Sequence, residues 1–321
     1  MTKIHAIAAS ALSKTYDITS GFFNKKESLI ALEEISFTLL EGDTLGILGE
    51  SGAGKSTLAK LLVGAETPSS GLLLIDSKDV TNLTTRERLS GHRKVRIVYQ
   101  DPYASLNPRL TISSLLDEPL RNVTKLSKQE RRKLIIKVLN LVGLKSEHGR
   151  RLPHMFSAGE RQRIAIARAL ILDPVCIVLD EPLSSLDISV QSQIVNLMLE
   201  LQKNLDLSYV LITYNLPVIK HMCDQLMVLC DGRMVEYGPT ASVLESPKHP
   251  YTQDILNKKS KTSSSSTNVK KQYPGCNYCD RCNYVSEHCY SDKPQQHLMG
   301  SQLVSCHKVE QINNTIKIRN K

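Results

Sequence analysis

The sequence predicts an α/β fold built on a mostly parallel sheet, and three observations carry that expectation. Strand-like apolar runs alternate with helical patterns along most of the chain. One of those runs, 175–179, is continuously apolar, as a strand buried on both faces must be, and 209–213 reads as another buried strand. A glycine-rich loop at 49–57 joins an apolar run to a helical one.

The elements follow in order. Residues 4–12 imitate the apolar stretch of a secretory leader. His5 interrupts the run and a large domain follows at once, so an opening strand is the expectation. Runs 35–40 and 45–48 are short strands split by the turn Glu41-Gly42-Asp43. A helix is expected from Ser56 to about Val63, then strand-like runs over 72–100 ending in 96–99. The middle is helical. Ser127 and Glu130 have capping-box spacing; Leu134, Ile135, Val138, Leu139 and Val142 form one face, and Gly143 ends it. Ser157 and Glu160 repeat the box at the start of a helix running through Leu170. Val190, Ile194, Leu197 and Leu201 align on a helix at 189–203. Asp231-Gly232 between runs 226–230 and 233–237 marks a hairpin.

Composition narrows the function classes. The chain has 321 residues, 41% hydrophobic and 23% charged, which is ordinary globular usage with length for about two domains. No apolar run approaches the roughly 18 residues of a membrane span. Trp is absent and aromatics reach only 5%, which weakens a base-stacking role. Lys+Arg 41 against Asp+Glu 32 give +9, but residues 258–321 hold 11 and 4 of these. The tail therefore carries +7 and the body only +2. Residues 258–272, with five lysines and Ser263 to Ser266, read as a flexible basic linker between a domain at 4–257 and a Cys-rich extension at 273–321. Five of eight cysteines lie between Cys276 and Cys306. Such a local cluster suits a metal better than disulfides where thiols stay reduced.

Two motifs carry chemistry. Gly49-Glu50-Ser51-Gly52-Ala53-Gly54-Lys55-Ser56 matches G-x-x-x-x-G-K-[ST] between a strand and a helix. Glycines turn successive backbone N–H groups inward as an anion nest, and the helix N-terminus adds positive potential. Lys55 would reach the β- and γ-phosphates of a nucleotide, and the Ser56 hydroxyl would ligate Mg²⁺. Residues 175–179 then end in Asp180 and Glu181. Asp180 would hold Mg²⁺ through water, and Glu181 would polarise the attacking water as a general base.

At these residues the chain resembles the ATP-binding subunits of ABC transporters. Ser157-Ala158-Gly159-Glu160-Arg161-Gln162-Arg163 is similar to that family's signature, which begins S-G-G-Q; Gln100 fits its Q-loop, and Ser184-Ser185-Leu186-Asp187 its D-loop. The resemblance implies a RecA-like P-loop core with an N-terminal antiparallel β subdomain. It also implies a helical subdomain at about 103–170. It makes Glu181, Lys55, Gln100 and Tyr214 catalytic, and assigns Mg²⁺ to Ser56, Gln100 and Asp180. ATP binding falls to Tyr16 (as an adenine platform), residues 49–56, Thr57, Gln100 and Asp180. Ser157, Gly159 and Asp187 complete the site on a facing subunit. The stretch Gln100 to Arg109, His249-Pro250-Tyr251-Thr252 and the Cys-rich tail resemble the oligopeptide, dipeptide and nickel importer branch. That branch implies a second ATPase subunit, two permeases, an extracellular solute-binding protein and the cytoplasmic face of a bacterial membrane, with no role for nucleic acid.

Two departures stand out. Where the family has S-H-D-L, this chain has Thr213-Tyr214-Asn215-Leu216; tyrosine offers one hydrogen bond and no imidazolium. In the signature, Ala158 is tolerable only if its φ is helical, and Glu160 caps the helix while repelling an incoming phosphate. A heterodimer whose own P-loop site here is slow is the expectation. Its alternatives are a catalytically silent ATP-binding half and, from the overall pI, a soluble ATPase acting on nucleic acid. Cys276, Cys282, Cys289 and Cys306 match the branch's four-cysteine tail, which implies a 4Fe-4S cluster. Zinc, completed by His288 or His307, and free thiols are the alternatives.

Overall fold

A computed structural model describes residues 5–20, 25–84, 87, 94–101, 105–257 and 274–312. The expected linker at 258–272, and residues 102–104 of the Gln100 motif, lie outside the described residues. Two sheets organise the chain. One is four-stranded and antiparallel, in the order β2-β1-β4-β5. Its strands are β1 (His5–Ser20), β2 (Lys25–Leu40), β4 (Ser70–Ile75) and β5 (Lys78–Asp79). β1 and β2 are each 16 residues long, far longer than the runs at 4–12 and 35–40 suggest. Their pairing slips between Ala9 and Leu12 and again between Leu12 and Thr15, and Ala11 and Glu34 take φ of 48° and 51°. Such bulges break the period of two that marks a strand. Gly71, at φ 90°, lets β4 approach the bulge. A Cβ there would lie 2.3 Å from the Ala11 carbonyl oxygen.

The second sheet has eight strands in the order β11-β12-β10-β9-β3-β8-β7-β6. β3 (Thr44–Leu48), β6 (Val95–Val98), β7 (Cys176–Asp180), β8 (Ser208–Ile212) and β9 (Gln225–Cys230) run parallel. Side chains alternate across this sheet into two cores. Ile177, Leu179, Tyr209 and Leu211 join one, with Leu116, Leu139, Ile164 and Met198. Cys176, Val178, Val210 and Ile212 join the other, with Ile35, Leu58 and Leu61. Burial on both faces is why these strands read as unbroken apolar runs.

The helices among the described residues are α1 (Lys55–Leu62), α2 (Ile112–Val123), α3 (Lys128–Leu141), α4 (Ala158–Leu170), α5 (Ile188–Leu205), α6 (Leu216–Met222), α7 (Thr240–Glu245), α8 (Pro250–Asn257) and a single turn, α9 (His288–Ser291), besides short 3₁₀ turns. Both expected capping boxes form, at Ser127 with Glu130 and at Ser157 with Glu160. Among the described residues no helix is long and apolar enough to cross a membrane.

The Cys-rich tail is woven into the large sheet. After the Asp231-Gly232 hairpin (φ 43° and 83°), β10 (Arg233–Pro239) pairs antiparallel with β9 on one side. On its other side lies β12 (Gln302–Ser305), flanked in turn by β11 (Gln296–Met299). Two short strands of mixed polarity, each four residues long, leave little periodicity to read. The seam is polar and buried. Glu236, fully buried, accepts from the backbone amides of Lys248 at 2.8 Å and His249 at 2.9 Å. His249, also buried, accepts at Nδ1 from the Tyr251 amide at 3.1 Å, and burial pushes its pKa down from 6.5 to about 3.

Native His249 thus refuses a proton that the unfolded chain accepts as the pH falls below 6.5. Its contribution to stability is present above that pH and is lost toward pH 3, at up to about 1.4 kcal/mol per pH unit. Denaturant midpoints at about pH 7.5 and about pH 5 are expected to differ less in His249→Asn than in wild type. Equal differences in the two proteins would contradict a neutral, buried imidazole.

Candidate functional site

β3 ends at the middle of the parallel sheet, between β8 and β9, and the loop 49–54 leads from it into α1. Two glycines make the loop possible. Gly54 has φ 99°, and a Cβ there would lie 2.7 Å from both the Ala31 oxygen and Leu32 Cδ2. Gly49 passes so close to β9 that its Cβ would meet the Leu229 oxygen at 2.3 Å. This backbone turns Lys55 inward to 8% exposure. Its Nζ donates to the carbonyls of Gly49 and Glu50, the latter at 2.9 Å, and to Tyr214 Oη at 2.7 Å. The ammonium also sits 4.6 Å from the Tyr214 ring centroid.

The carboxylates face it from the end of β7, one strand beyond β8. Asp180 ends β7, and Glu181 follows at φ 47°, its amide donating to the Ile212 carbonyl at 2.9 Å. Burial lowers the Lys55 pKa, opposed by the charges of Glu181, Asp180 and Glu50. Burial raises the Asp180 pKa, opposed by Lys55. A partly desolvated carboxylate near Lys55 fits a divalent cation, which would stabilise its charged form. Tyr214, 45% exposed, has its phenol pushed up to about 12 by burial and by Glu181, Glu50 and Asp180, so it stays a neutral donor. Gln100, just past β6, is exposed and lines a cavity of about 750 Å³ together with Asp180, Ser105 and Arg168.

Tyr16 stands on β1 with its hydroxyl on Glu66, a side-chain hydrogen bond to Thr57, and Lys14 Nζ 5.1 Å from its ring. Ser157, Gly159 and Asp187 form a separate group at the starts of α4 and α5. Asp187 caps α5 by accepting from the Val190 amide at 3.0 Å and Ser189 Oγ at 2.7 Å. A methyl on Gly159 would come within 2.6 Å of Val190 Cγ1, so glycine permits this contact. Ala158 lies inside α4 with no positive φ, which removes the backbone objection to its methyl. Glu160 accepts from the Ser157 amide at 2.9 Å and Ser157 Oγ at 3.0 Å. Those bonds hold its carboxyl below the usual range, with the amide the larger cause.

Residues 32–184 match the family model described as ABC transporter, and residues 235–289 match oligopeptide/dipeptide transporter, C-terminal region. The chain is 41% identical over 319 residues to the dipeptide transport ATP-binding protein DppF of Escherichia coli, covering 96% of each. The chain belongs to the ABC transporter ATP-binding subunits. This ABC subunit is also 37% identical to the oligopeptide transport ATP-binding protein AppF of Bacillus subtilis, over 92% of this chain and 95% of AppF. Among solved structures it resembles MJ0796 bound to ADP and Pi, at TM-score 0.64 and 28% identity over 73% of this chain and 98% of that one. It likewise resembles cbiO1 of Clostridium perfringens, at TM-score 0.66 and 27% identity over 76% and 92%. An ABC ATPase hydrolyses ATP with Mg²⁺.

The tail of this ABC subunit brings Cys276, Cys279, Cys282, Cys289 and Cys306 around one small cavity of about 20 Å³. Cys276 Sγ accepts from the Tyr278 amide at 3.4 Å and Cys282 Sγ from the Tyr284 amide at 3.4 Å. The Lys308 amide bonds Cys306 in the same way, two residues on. Burial pushes the Cys276 thiol up to about 12 and the Cys306 thiol up to about 11. His307 Nε2 bonds the Asp292 carbonyl, and His288 Nδ1 lies 2.9 Å from the Asp292 carboxylate, so both histidines have partners outside the thiols. Among the described residues, no three His, Cys, Asp or Glu side chains are arranged to hold a metal ion as they stand.

Sequence reasoning named Tyr251 only within the motif His249-Pro250-Tyr251-Thr252 and missed Arg281; both bond the P-loop residue Glu50. Neither contact has a local signal, because each residue lies about 200 or more positions from its partner. Gly54→Ala combines a strained φ with a clash against β2. It is expected to weaken MgATP binding at least about tenfold in titrations with a fluorescent analogue, given the roughly 1–3 kcal/mol such strain stores.

Proposed function

We propose that this chain is one ATPase subunit of a bacterial peptide importer. It would sit on the cytoplasmic face of the membrane, paired with a second, different ATPase subunit beneath two permeases fed by an extracellular binding protein. The names of its relatives DppF and AppF support peptides over nickel. The observation that carries the reading is Lys55, held between P-loop carbonyls and Tyr214 and facing Asp180 and Glu181.

Within the site, the amides of residues 49–57 and Lys55 receive the phosphates, and Tyr16 supports the base. Ser56, Asp180 and Gln100 would hold Mg²⁺, which offsets phosphate charge. Glu181 takes a proton from the attacking water. The cavity beside Gln100 is where motion would pass to a permease.

Tyr214 sets the rate of this site. Its hydroxyl already occupies one side of Lys55, so a γ-phosphate must displace it. Once displaced, it offers no cationic donor in the transition state. Loss of one preorganised contact costs about 100-fold. The partner's P-loop, completed by Ser157, Gly159 and Asp187 of this chain, then carries most turnover. In the assembled transporter, Tyr214→His is expected to raise ATPase activity several-fold or more, and Glu181→Gln in that background to abolish the gain. If neither substitution moves the rate, this half is catalytically silent and serves regulation.

The tail supports a second assignment. Backbone amides point at three of these sulfurs and partly offset the burial that keeps them protonated, so Cys276, Cys282, Cys289 and Cys306 would hold a 4Fe-4S cluster as thiolates, with zinc the alternative. Thiols with raised pKa values must release protons on loading, so affinity should climb with pH. Anaerobically purified protein is expected to be brown, with iron and sulfide in equal amounts. A colourless protein with one zinc would overturn the cluster, and one with neither metal would overturn the site.

A further inference from the structure

Three lines of contact run from the Cys-rich tail into the P-loop. Arg281 Nη1 donates to Glu50 Oε2 at 2.6 Å. Asn277 Nδ2 donates to the Asp231 carbonyl at 2.7 Å, and the adjoining Gly232 amide donates to the P-loop carbonyl of Ala53 at 3.0 Å. The Tyr278 ring meets Tyr251 edge-on, centroids 5.1 Å apart, and Tyr251 Oη accepts from the Glu50 amide at 2.9 Å. The Arg281 guanidinium lies over both rings, 5.0 Å from Tyr278 and 5.9 Å from Tyr251, where cation–π attraction orients it.

These tail residues are also the scaffold of the thiol cavity. The Tyr278 amide bonds Cys276 Sγ, and Arg281 immediately precedes Cys282. On the other side, Glu50 bonds through its carbonyl to Lys55, through its amide to Tyr251 and through its carboxylate to Arg281. A shift of the sulfurs therefore reaches the carbonyl that aims the phosphate-binding lysine.

We propose that the Cys-rich tail and the nucleotide site of this chain are allosterically coupled, with Arg281 the positioning residue that links them. Nucleotide in the P-loop shifts the equilibrium that exposes the tail thiols, and that shift acts in reverse on nucleotide affinity, as linkage requires. The coupling rests on nucleotide binding at this P-loop and is independent of what the thiols hold.

The test uses the full-length chain, reduced and freed of metal by chelation. Alkylation of Cys276, Cys282, Cys289 and Cys306 by N-ethylmaleimide is followed by peptide mass spectrometry, with and without a saturating non-hydrolysable MgATP analogue. Wild type is expected to show about a fivefold or larger change in at least one rate. Arg281→Gln should lose that change while still binding the analogue, and Arg281→Lys should retain part of it. A bound analogue that alters none of the four rates overturns the coupling. A change as large in Arg281→Gln as in wild type removes Arg281 from its role. Failure of wild type to bind the analogue overturns the nucleotide reading, and the coupling with it.

Discussion

A buried ammonium must find acceptors before any nucleotide arrives, and the centre of this molecule is built around that demand. Lys55 is nearly enclosed, so an unpaired charge there would be costly. The loop supplies two carbonyls only because Gly49 and Gly54 let it lie against β9 and β2. The sheet supplies the rest, since β8 lies beside β3 and β7 beside β8, which brings the Asp180 and Glu181 charges and the Tyr214 hydroxyl to the ammonium. Strand order, glycine placement and the two carboxylates are one solution to one electrostatic problem.

What was legible in the sequence follows from how local each signal is. The P-loop, the strand ending in Asp180-Glu181, the two capping boxes and the Asp231-Gly232 hairpin are each written within about ten residues, and each forms as expected. The long strands β1 and β2 were masked by bulges at Ala11 and Glu34, which scramble the alternation. The tail strands were too short and polar to show a period. Contacts such as Arg281 with Glu50 depend on the whole fold being in place and have no local trace. Ala158 is an instructive middle case. Its sequence left the cost of the methyl open, and only its helical backbone resolves it.

The two departures from the family pattern lie in different parts of the fold. Tyr214 bonds Lys55 beside this chain's own P-loop, whereas Glu160 closes the capping box at the start of α4. At Glu160 two demands conflict. The carboxylate that closes the capping box with Ser157 stabilises α4, and its charge stands where an incoming phosphate would be received.

The insertion of β12 beside β10 has a consequence for how the chain survives in a crowded cell. β10 is seven residues long and largely buried, with its backbone groups paired on one flank to β9 and on the other to β12. Were the chain cut before its cysteines, that second flank would become an open edge of unpaired backbone groups ready to recruit any extended segment nearby. The tail is therefore also a guard against self-association, and it must fold onto the sheet before the protein is safe from its own copies.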